Sequence, residues 1–345
     1  MPNLFFFLSG EHKDLPVAEL EAILETEGFA YKINEKLDQV LRLEADPECV
    51  EALKQRAAFT RLCAMELFNC PSTTPNIIKT LYAAHVNEAL KENESFVVRV
   101  KHVGNYSAEI NGMLLEQKLG EHILSIAPES KVKLRDPNVT FTGILTNNRF
   151  IFGITLAEIS AKPFVERRPR KRPFFHPSAM QAKLARCMVN LAHPRAGEIV
   201  LDPFCGTGTM LIEATLIGCR TVGLDVQRRM ARGTLRNMAH FKVKPEAVVV
   251  TDARTLPIRR ADVVVTDPPY GTSSTTLRRT TKQIIEEILT SVHEILNEGR
   301  RICIAAPRRL SIVQSGTRLG YKHIESHFVY VHRSLIREIV VFQKK

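Results

Sequence analysis

The stretch VVVTDPPYGTS, residues 263–273, follows an apolar run with an acid, two prolines and an aromatic ring. The prolines fix φ and lack N–H donors, so the Asp267 carboxylate and the Pro268 carbonyl are held as aimed acceptors. Two such acceptors can hold both N–H bonds of an amino group and free its lone pair to attack an electrophile. Tyr270 can stack on a planar ring, and Gly271 lets the chain turn away. The alternative is a bare proline turn after an edge strand.

Three further acids, Asp202, Asp225 and Asp252, stand at or just after short apolar segments. Such segments read as parallel strands, whose carboxyl ends bind ligands in doubly wound sheets. Asp225 follows Asp202 by 23 residues, where a carboxylate can accept both hydroxyls of a ribose. Asp225 and Asp252 could each instead cap the start of a helix. Taken in order, the acids favour a ligand site at one edge of a sheet.

The first of these turns, VLDPFCGTGTMLIEA at residues 200–214, places Gly206 and Gly208 between a strand and a helix. Glycines permit a tight turn and a close approach of ligand to backbone. The third glycine of the dinucleotide fingerprint is absent, because Leu211 stands there. Asp202 would repel a pyrophosphate and attract a cationic ligand with an amino group. The turn therefore favours S-adenosylmethionine over a dinucleotide.

VLDPFCGTGT and DPPYG resemble motifs of Rossmann-fold amino methyltransferases, and RPFFHPSAMQAKLAR, residues 172–186, is similar to the motif before them. The resemblance implies S-adenosylmethionine as cofactor, with Asp252 and the Ala253 amide at its adenine. It implies that Asp267, Pro268 and Tyr270 are catalytic. A helix start at Ser178 is an equally open explanation of that residue. The implied cofactor-binding residues are His176, Ser178, Asp202, Phe204, Gly206, Gly208, Asp225, Val226, Asp252, Ala253 and Asp267.

The elements that position these residues alternate helices with short strands, as in a parallel sheet covered on both faces. Predicted strands cover residues 199–201, 221–224, 247–250, 262–266, 302–305, 327–332 and 338–343. Only residues 333–337 separate the last two strands, which predicts an antiparallel hairpin. The predicted fold of this half is a seven-stranded, doubly wound α/β Rossmann-fold domain.

The first half of the chain reads as two α+β domains. Residues 2–67 follow the strand-helix-strand-strand-helix-strand order of a ferredoxin-like domain. PSTTP, residues 71–75, marks a boundary before a predicted amphipathic helix at 77–90 and a strand at 95–103. With VKLRDPNVTFTGILTNNRFIFGIT, this region resembles the THUMP domain, which implies binding to the acceptor end of tRNA. The predicted domains are 1–70 (ferredoxin-like), 71–157 (THUMP), 158–174 (basic linker) and 175–345 (methyltransferase).

Charge is distributed unevenly, with a net charge of −7 for residues 1–95 and +18 for residues 96–345. A body this basic suits a polyanion, because cations on the protein displace counterions from phosphates. Residues 162–173, KPFVERRPRKRP, are predicted to be a stiff linker rather than a helix or core strand. Each basic residue could also be merely solvated. The predicted RNA-binding residues are Arg99, Lys101, Lys133, Arg135, Arg170, Lys171, Arg278 and Arg279.

Domain order and motifs together resemble the archaeal tRNA guanosine N2-methyltransferases that modify position 10, giving N2-methylguanosine and often the dimethylated form. Relatives that act at position 6 tend to carry Asn where this chain has Asp267, so the resemblance implies position 10. A guanine paired in a stem would have to be extruded, with the THUMP domain measuring distance from the acceptor end. Three alternatives stay open: guanosine at another position of tRNA or rRNA, a DNA amino methyltransferase, and a non-catalytic RNA-binding protein.

Other sequence features bear on metal binding, disulfides, localisation and partners. Seven scattered cysteines without a C-x-x-C pair indicate neither a disulfide framework nor a zinc site, and the chemistry requires no metal. The apolar run at residues 4–8 is too short for a signal peptide or a spanning helix, so we expect a cytoplasmic protein with no membrane contact. The expected partner is tRNA. A monomer is expected, and an accessory protein stays open.

Overall fold

The structure, a computed structural model, describes residues 1–84, 86–270, 280–333 and 335–345. Contacts between residues divide the chain into two compact units. The first unit, unit 1, contains Met1–Glu11, Phe29–Lys54 and Thr60–Ser160. Unit 2 contains His12–Gly28, Gln55–Phe59 and Ala161–Lys345, and therefore all of the predicted catalytic residues.

Unit 1 is built on one sheet of eight strands. Its order is β2-β3-β1-β4-β8-β7-β5-β6, and β1 pairs antiparallel with both β3 and β4. The β1-α1-β2-β3-α2-β4 sequence of elements confirms the predicted ferredoxin-like order. The elements of the first half of the chain are β1 (Asn3–Leu8), α1 (Leu15–Glu27), β2 (Tyr31–Leu37), β3 (Val40–Ala45), α2 (Cys49–Arg56), β4 (Thr60–Pro71), α3 (Thr74–Ala83), β5 (Ser95–His102), α4 (Gly112–Ile126), β6 (Lys131–Val132), β7 (Val139–Thr146) and β8 (Arg149–Glu158).

The long strand β4 joins the strands of the two predicted N-terminal domains into one sheet. It pairs antiparallel with β8 as far as Pro71 opposite Arg149, so the shared sheet extends to the first residue of the PSTTP stretch. The sequence did not predict this pairing, because it links strands about 80 residues apart along the chain. The helix predicted at 77–90 was too long, since α3 ends where Ala84 takes an extended conformation.

Unit 2 contains the predicted seven-stranded sheet, in the order β11-β10-β9-β12-β13-β15-β14. Strands β9 to β13 are parallel to one another, and β15 pairs antiparallel with β13 and β14, which confirms the hairpin. The elements are α5 (Lys162–Glu166), α6 (Ala182–Leu191), β9 (Ile199–Asp202), α7 (Thr209–Thr215), β10 (Arg220–Asp225), α8 (Arg228–His240), β11 (Ala247–Val250), β12 (Val263–Thr266), α9 (Thr281–Ile295), β13 (Arg301–Pro307), α10 (Ile312–Arg318), β14 (Tyr321–His332) and β15 (Leu335–Lys344).

The central strand β12 is apolar throughout because both of its faces are covered. Val263 and Val265 belong to the core on the α6 face, whereas Val264 belongs to the core on the α9 face. The sheet reverses its strand order between β9 and β12, which opens a crevice at their carboxyl ends. Asp202 and Asp267 stand at this reversal, so the fold places them at the usual ligand site of a doubly wound sheet.

The basic segment at 162–173, predicted to be a stiff linker without helix, does contain a helix. Residues Lys162–Glu166 form helix α5, and a 3₁₀ turn follows at Pro169–Lys171. Arg167 forms a two-pronged ion pair with buried Glu213, at 2.7 and 3.0 Å, and Arg172 donates to the Thr209 hydroxyl at 2.6 Å. Charge therefore does not keep this segment in solvent, because a buried acid from α7 neutralises part of it.

Candidate active site

A cleft of about 870 Å³ opens at the carboxyl ends of β9, β10 and β12. Its walls come from the turns after these strands and after β11, from the segment before α6, and from Ile284, Glu287 and Ile288 of helix α9. The sequence did not single out the α9 residues, which present an ordinary amphipathic helix pattern. Nine of the predicted cofactor-binding residues line the cleft: His176, Ser178, Phe204, Gly206, Asp225, Val226, Asp252, Ala253 and Asp267.

Asp225 is held at the end of β10 by backbone donors on two turns. Its Oδ2 accepts a hydrogen bond from the Gly206 amide at 3.1 Å, and its Oδ1 accepts one from the Gln227 amide at 2.8 Å. Gly206 makes this approach with a positive φ of 53°. Helix α8 has Gln227 as its N-cap, so the capping alternative for Asp225 was wrong. The carboxylate keeps lone pairs for hydroxyl donors of a ligand.

Asp202 lies beneath the cleft rather than in it. With only 2% of its surface exposed, it borders a smaller adjoining cavity of about 400 Å³ together with Ser178, Gly206 and Asp267. Its Oδ1 accepts hydrogen bonds from the Thr266 hydroxyl at 2.7 Å and the Phe204 amide at 3.1 Å. Burial raises the pKa of Asp202 to about 7, against the opposing effect of these donors. A buried acid of this kind would be stabilised in its charged form by a nearby cation.

The Asp252 carboxylate pairs with the side chain of Arg254, a residue that the sequence pattern did not single out. The Arg254 side chain donates to Oδ1 at 3.1 Å and to Oδ2 at 2.9 Å, and its backbone amide donates to Oδ1 at 3.0 Å. No helix begins within residues 251–262, so the capping alternative for Asp252 was also wrong. Both residues line the cleft, and the ion pair holds the acid in one orientation there.

Two residues of the DPPY turn, Asp267 and Tyr270, form a polar cluster with Arg337 of β15. The Tyr270 hydroxyl donates to Asp267 Oδ1, and an Arg337 nitrogen lies 3.2 Å from Asp267 Oδ2. Arg337 Nε also donates to the Tyr270 hydroxyl at 3.2 Å. Burial raises the pKa of Asp267, and the Arg337 guanidinium opposes that rise. Arg337 comes from β15, where a charged residue in an apolar strand was the available signal.

The segment before α6 folds over one side of the cleft. His176 Nδ1 and the Ser178 hydroxyl are hydrogen-bonded at 2.7 Å. Two residues before His176, the backbone of Phe174 is held by Asn237, whose side chain accepts a hydrogen bond from the Phe174 amide and donates one to its carbonyl, both at 2.9 Å. Helix α6 begins at Ala182 with Gln181 as N-cap, so the alternative of a helix start at Ser178 was wrong.

Gly208 has a packing role that the predicted cofactor contact did not include. It is the N-cap of α7 with φ 81°, and it does not line the cleft. A Cβ on Gly208 would lie 2.8 Å from Thr234 Cγ2. The glycine therefore permits both the left-handed turn and the close packing of α7 against α8.

The predicted RNA-binding residues lie in several places. Arg99 and Lys101 share one side of β5, whereas Lys133 and Arg135 are exposed beyond β6. Arg99 donates to the Leu134 carbonyl at 3.1 Å. In unit 2, Arg170 is exposed, and Lys171 pairs with Glu166 at 3.0 Å. The remaining two predicted residues, Arg278 and Arg279, lie outside the described residues.

Within the described part of the chain, no group of three or more His, Cys, Asp or Glu residues is arranged to hold a metal ion. No described helix is long and apolar enough to cross a membrane.

Comparisons with known proteins match this architecture. A sequence model for the RMKL-like methyltransferase domain matches residues 169–336. The tRNA (guanine(10)-N2)-dimethyltransferase of Methanothermobacter thermautotrophicus is 36% identical over 99% of both chains, and that of Methanocaldococcus jannaschii is 31% identical over 98% of this chain and 99% of its own. The crystal structure of TrmN from Thermus thermophilus has the same fold, with a TM-score of 0.56 at 17% identity over 99% of this chain and all of its own. The chain therefore belongs to the tRNA (guanine(10)-N2)-dimethyltransferase family.

Proposed function

We propose that this chain transfers methyl groups from S-adenosylmethionine to the exocyclic N2 of guanosine 10 in tRNA, giving N2-methylguanosine and then N2,N2-dimethylguanosine. The observation that carries the proposal is the Asp267 carboxylate at the edge of a cleft that Asp225 and Asp252 also line. The names of full-length relatives supply the nucleotide and the second methylation.

The polar groups of the cleft fit this cofactor. Asp225 is placed for the ribose hydroxyls, and Asp252 with the Ala253 amide for the adenine edge. Asp202 and Asp267 border the adjoining cavity, where a carboxylate favours a cationic ammonium or sulfonium. When bound, the cofactor supplies an electrophilic methyl group on sulfur.

The residues of the DPPY turn prepare the nucleophile. The N2 lone pair of guanine is delocalised into the ring, which makes the free amino group a poor nucleophile. We assign the Asp267 carboxylate and the Pro268 carbonyl as acceptors for its two N–H bonds, which draws the nitrogen toward tetrahedral geometry. The substrate must displace the Tyr270 hydroxyl from Asp267, which leaves the Tyr270 ring to stack on the extruded base.

The assignment of residue ranges to domains and to their roles is also a proposal. We assign residues 1–70 to a ferredoxin-like domain, 71–157 to a THUMP domain, 158–174 to a connecting segment and 175–345 to catalysis. In this scheme the half-buried Arg99 and Lys101 and the exposed Lys133 and Arg135 contact tRNA phosphates. A tRNA substrate places the protein in the cytoplasm, and a monomer is the simplest working form.

Transfer of radiolabelled methyl to an unmodified tRNA transcript, followed by nucleoside analysis, tests the proposal. We expect label in N2-methylguanosine and N2,N2-dimethylguanosine, lost when guanosine 10 of the transcript is replaced by adenosine. Label that persists in that transcript would overturn the target position. Label in duplex DNA but not in tRNA would instead identify a DNA amino methyltransferase.

A further inference from the structure

A basic and aromatic surface lies beside the DPPY turn and has no role in the scheme above. Arg308 and Arg309 follow β13, and Arg333 stands in the turn between β14 and β15. The three side chains line one shallow pocket of about 700 Å³. We call these residues, with Phe328 and Tyr330, the arginine pocket. Their clustering joins residues from two separate parts of the sequence into one cationic surface.

The charges of this pocket are available to a ligand. All three arginines are exposed, and none forms an ion pair with any acid that the structure describes. Glu338, which is opposite Phe328 in the hairpin, is buried and forms no such pair within the described chain. Guanidinium groups without a carboxylate partner are suited to two-pronged contacts with phosphate oxygens.

Two aromatic rings extend the pocket with an exposed apolar surface. Phe328 is 54% exposed and Tyr330 68% exposed, at alternate positions of β14. The Arg308 guanidinium lies 4.8 Å from the centre of the Phe328 ring. Unpaired bases stack on such rings and on guanidinium planes, and proteins that bind single-stranded nucleic acid combine both with cationic grooves.

The register of the sheet places the pocket next to the catalytic acid. Strand β13 ends at Pro307, which is opposite Arg337 of β15. Arg337 contacts the Asp267 carboxylate, and Arg308 is the next residue after Pro307. A strand of RNA that delivered its base to Asp267 would therefore pass the arginine pocket.

We propose that the arginine pocket holds the backbone phosphate and the unstacked base next to the target nucleotide. The proposal rests on the proposed function, because it requires an RNA substrate whose guanine is extruded. Extrusion costs stacking and pairing energy, and contacts to the flanking strand are one way to offset that cost. The pocket thus acts on RNA binding rather than on cofactor binding.

The test compares the double variant Arg308→Gln/Arg333→Gln with the control variant Arg195→Gln. Arg195 is exposed and precedes β9, so it lies at the amino ends of the parallel strands, whereas the arginine pocket lies at their carboxyl ends. Binding of unmodified tRNA transcript is measured over a series of salt concentrations, together with KM, kcat and S-adenosylmethionine affinity. We expect KM for tRNA to rise about tenfold or more in the double variant, and the log–log salt slope to fall by about one or more. Cofactor affinity and the thermal midpoint should match wild type, and Arg195→Gln should change none of these.

A second double variant separates the contribution of base stacking to tRNA binding from that of charge. Phe328→Leu/Tyr330→Leu should raise KM for tRNA by about fivefold or more while leaving the salt slope unchanged. If both double variants bind tRNA as wild type does, the arginine pocket proposal is overturned while the proposed function stands. If wild-type protein neither binds nor methylates tRNA, the proposed function fails and this proposal fails with it.

Discussion

The guanidinium of Arg337 lies 3.2 Å from Oδ2 of Asp267, although 70 residues separate the two in sequence. The antiparallel register of β15 against β13 makes this contact, because it places the start of β15 at the carboxyl edge of the sheet. Arg337 also donates to the Tyr270 hydroxyl, so one cation orients both polar groups of the DPPY turn. Its positive charge favours the ionised form of Asp267 and so opposes the rise in pKa that burial causes.

Replacement of Arg337 by Gln should shift the pH dependence of methyl transfer. Arg337 holds the pKa of Asp267 below the level that burial alone would set, so its loss raises that pKa. The ionised acid then forms only at higher pH, and the acidic limb of the kcat/KM profile should move upward by about one unit or more. Profiles for wild type and variant on the same tRNA transcript measure the shift.

Arg337→Lys is the matched control for this effect. It keeps the charge and loses the second donor, so its acidic limb should lie closer to that of wild type. A limb that stays at the wild-type pH in Arg337→Gln would show that the ion pair has no influence on the ionisation of Asp267.

Asp267→Ala should abolish most of the chemistry while cofactor binding persists. The variant loses one of the two proposed acceptors for the amino group, and single-turnover methyl transfer should fall by about a hundredfold or more. S-adenosylmethionine affinity should change by less than about tenfold, since Asp225 and Asp252 are untouched. Asp267→Asn keeps one oxygen acceptor and should retain intermediate activity. Equal rates in the Ala variant and wild type would remove Asp267 from the mechanism.

The sequence predicted those site residues that lie next to the strand they follow. Asp202, Asp225 and Asp267 could be placed because a parallel sheet brings the carboxyl ends of its strands to one edge. Arg337 and the arginine pocket could not be placed, because their position depends on the register of a hairpin against β13. A local pattern in one strand does not identify the distant strand that pairs with it.

The same reason accounts for two features of the fold that local patterns did not indicate. Charge and prolines at 162–173 indicated a stiff linker rather than a helix, but α5 forms there, and Glu213, on a helix about 45 residues later, pairs with Arg167 and Arg186. Helix α1 lies within the sequence order of the ferredoxin-like domain, and its Glu19 side chain also accepts a hydrogen bond from Asn190 of α6 at 2.9 Å. Partners far away in sequence decided both outcomes.

Cofactor affinity should depend on pH through Asp202. Its pKa of about 7 means that the acid of the free protein is protonated below neutral pH, and a bound cation favours the ionised form. Affinity should therefore fall as pH drops below 7, approaching about tenfold per pH unit, with proton release on binding. Calorimetric titration in two buffers of different ionisation enthalpy counts the protons.

Asp202→Asn removes the titrating group and should flatten this dependence. The raised pKa also lowers the free energy of unfolding as pH rises from about 4 to about 7, because the unfolded chain ionises first. The Asn variant should lose that component as well. Proton release that is identical in wild type and variant would assign the dependence to another group.

Gly208→Ala should destabilise the protein more than Gly197→Ala does. Both glycines have φ above 80°, so alanine is strained at either position, by about 1 kcal/mol or more. Only at Gly208 would the new Cβ meet a neighbour, since it would lie 2.8 Å from Thr234 Cγ2, whereas nothing lies within 4 Å at Gly197. Thr234 is fully buried and donates to the Gly206 carbonyl at 2.8 Å, so it cannot move aside without loosening the turn that holds Asp225.

We expect an additional loss of about 1–3 kcal/mol in urea unfolding for Gly208→Ala, with weaker cofactor binding as a consequence. Equal losses for the two variants would mean that α7 and α8 relax freely, and Gly208 would then be required for its backbone angle alone.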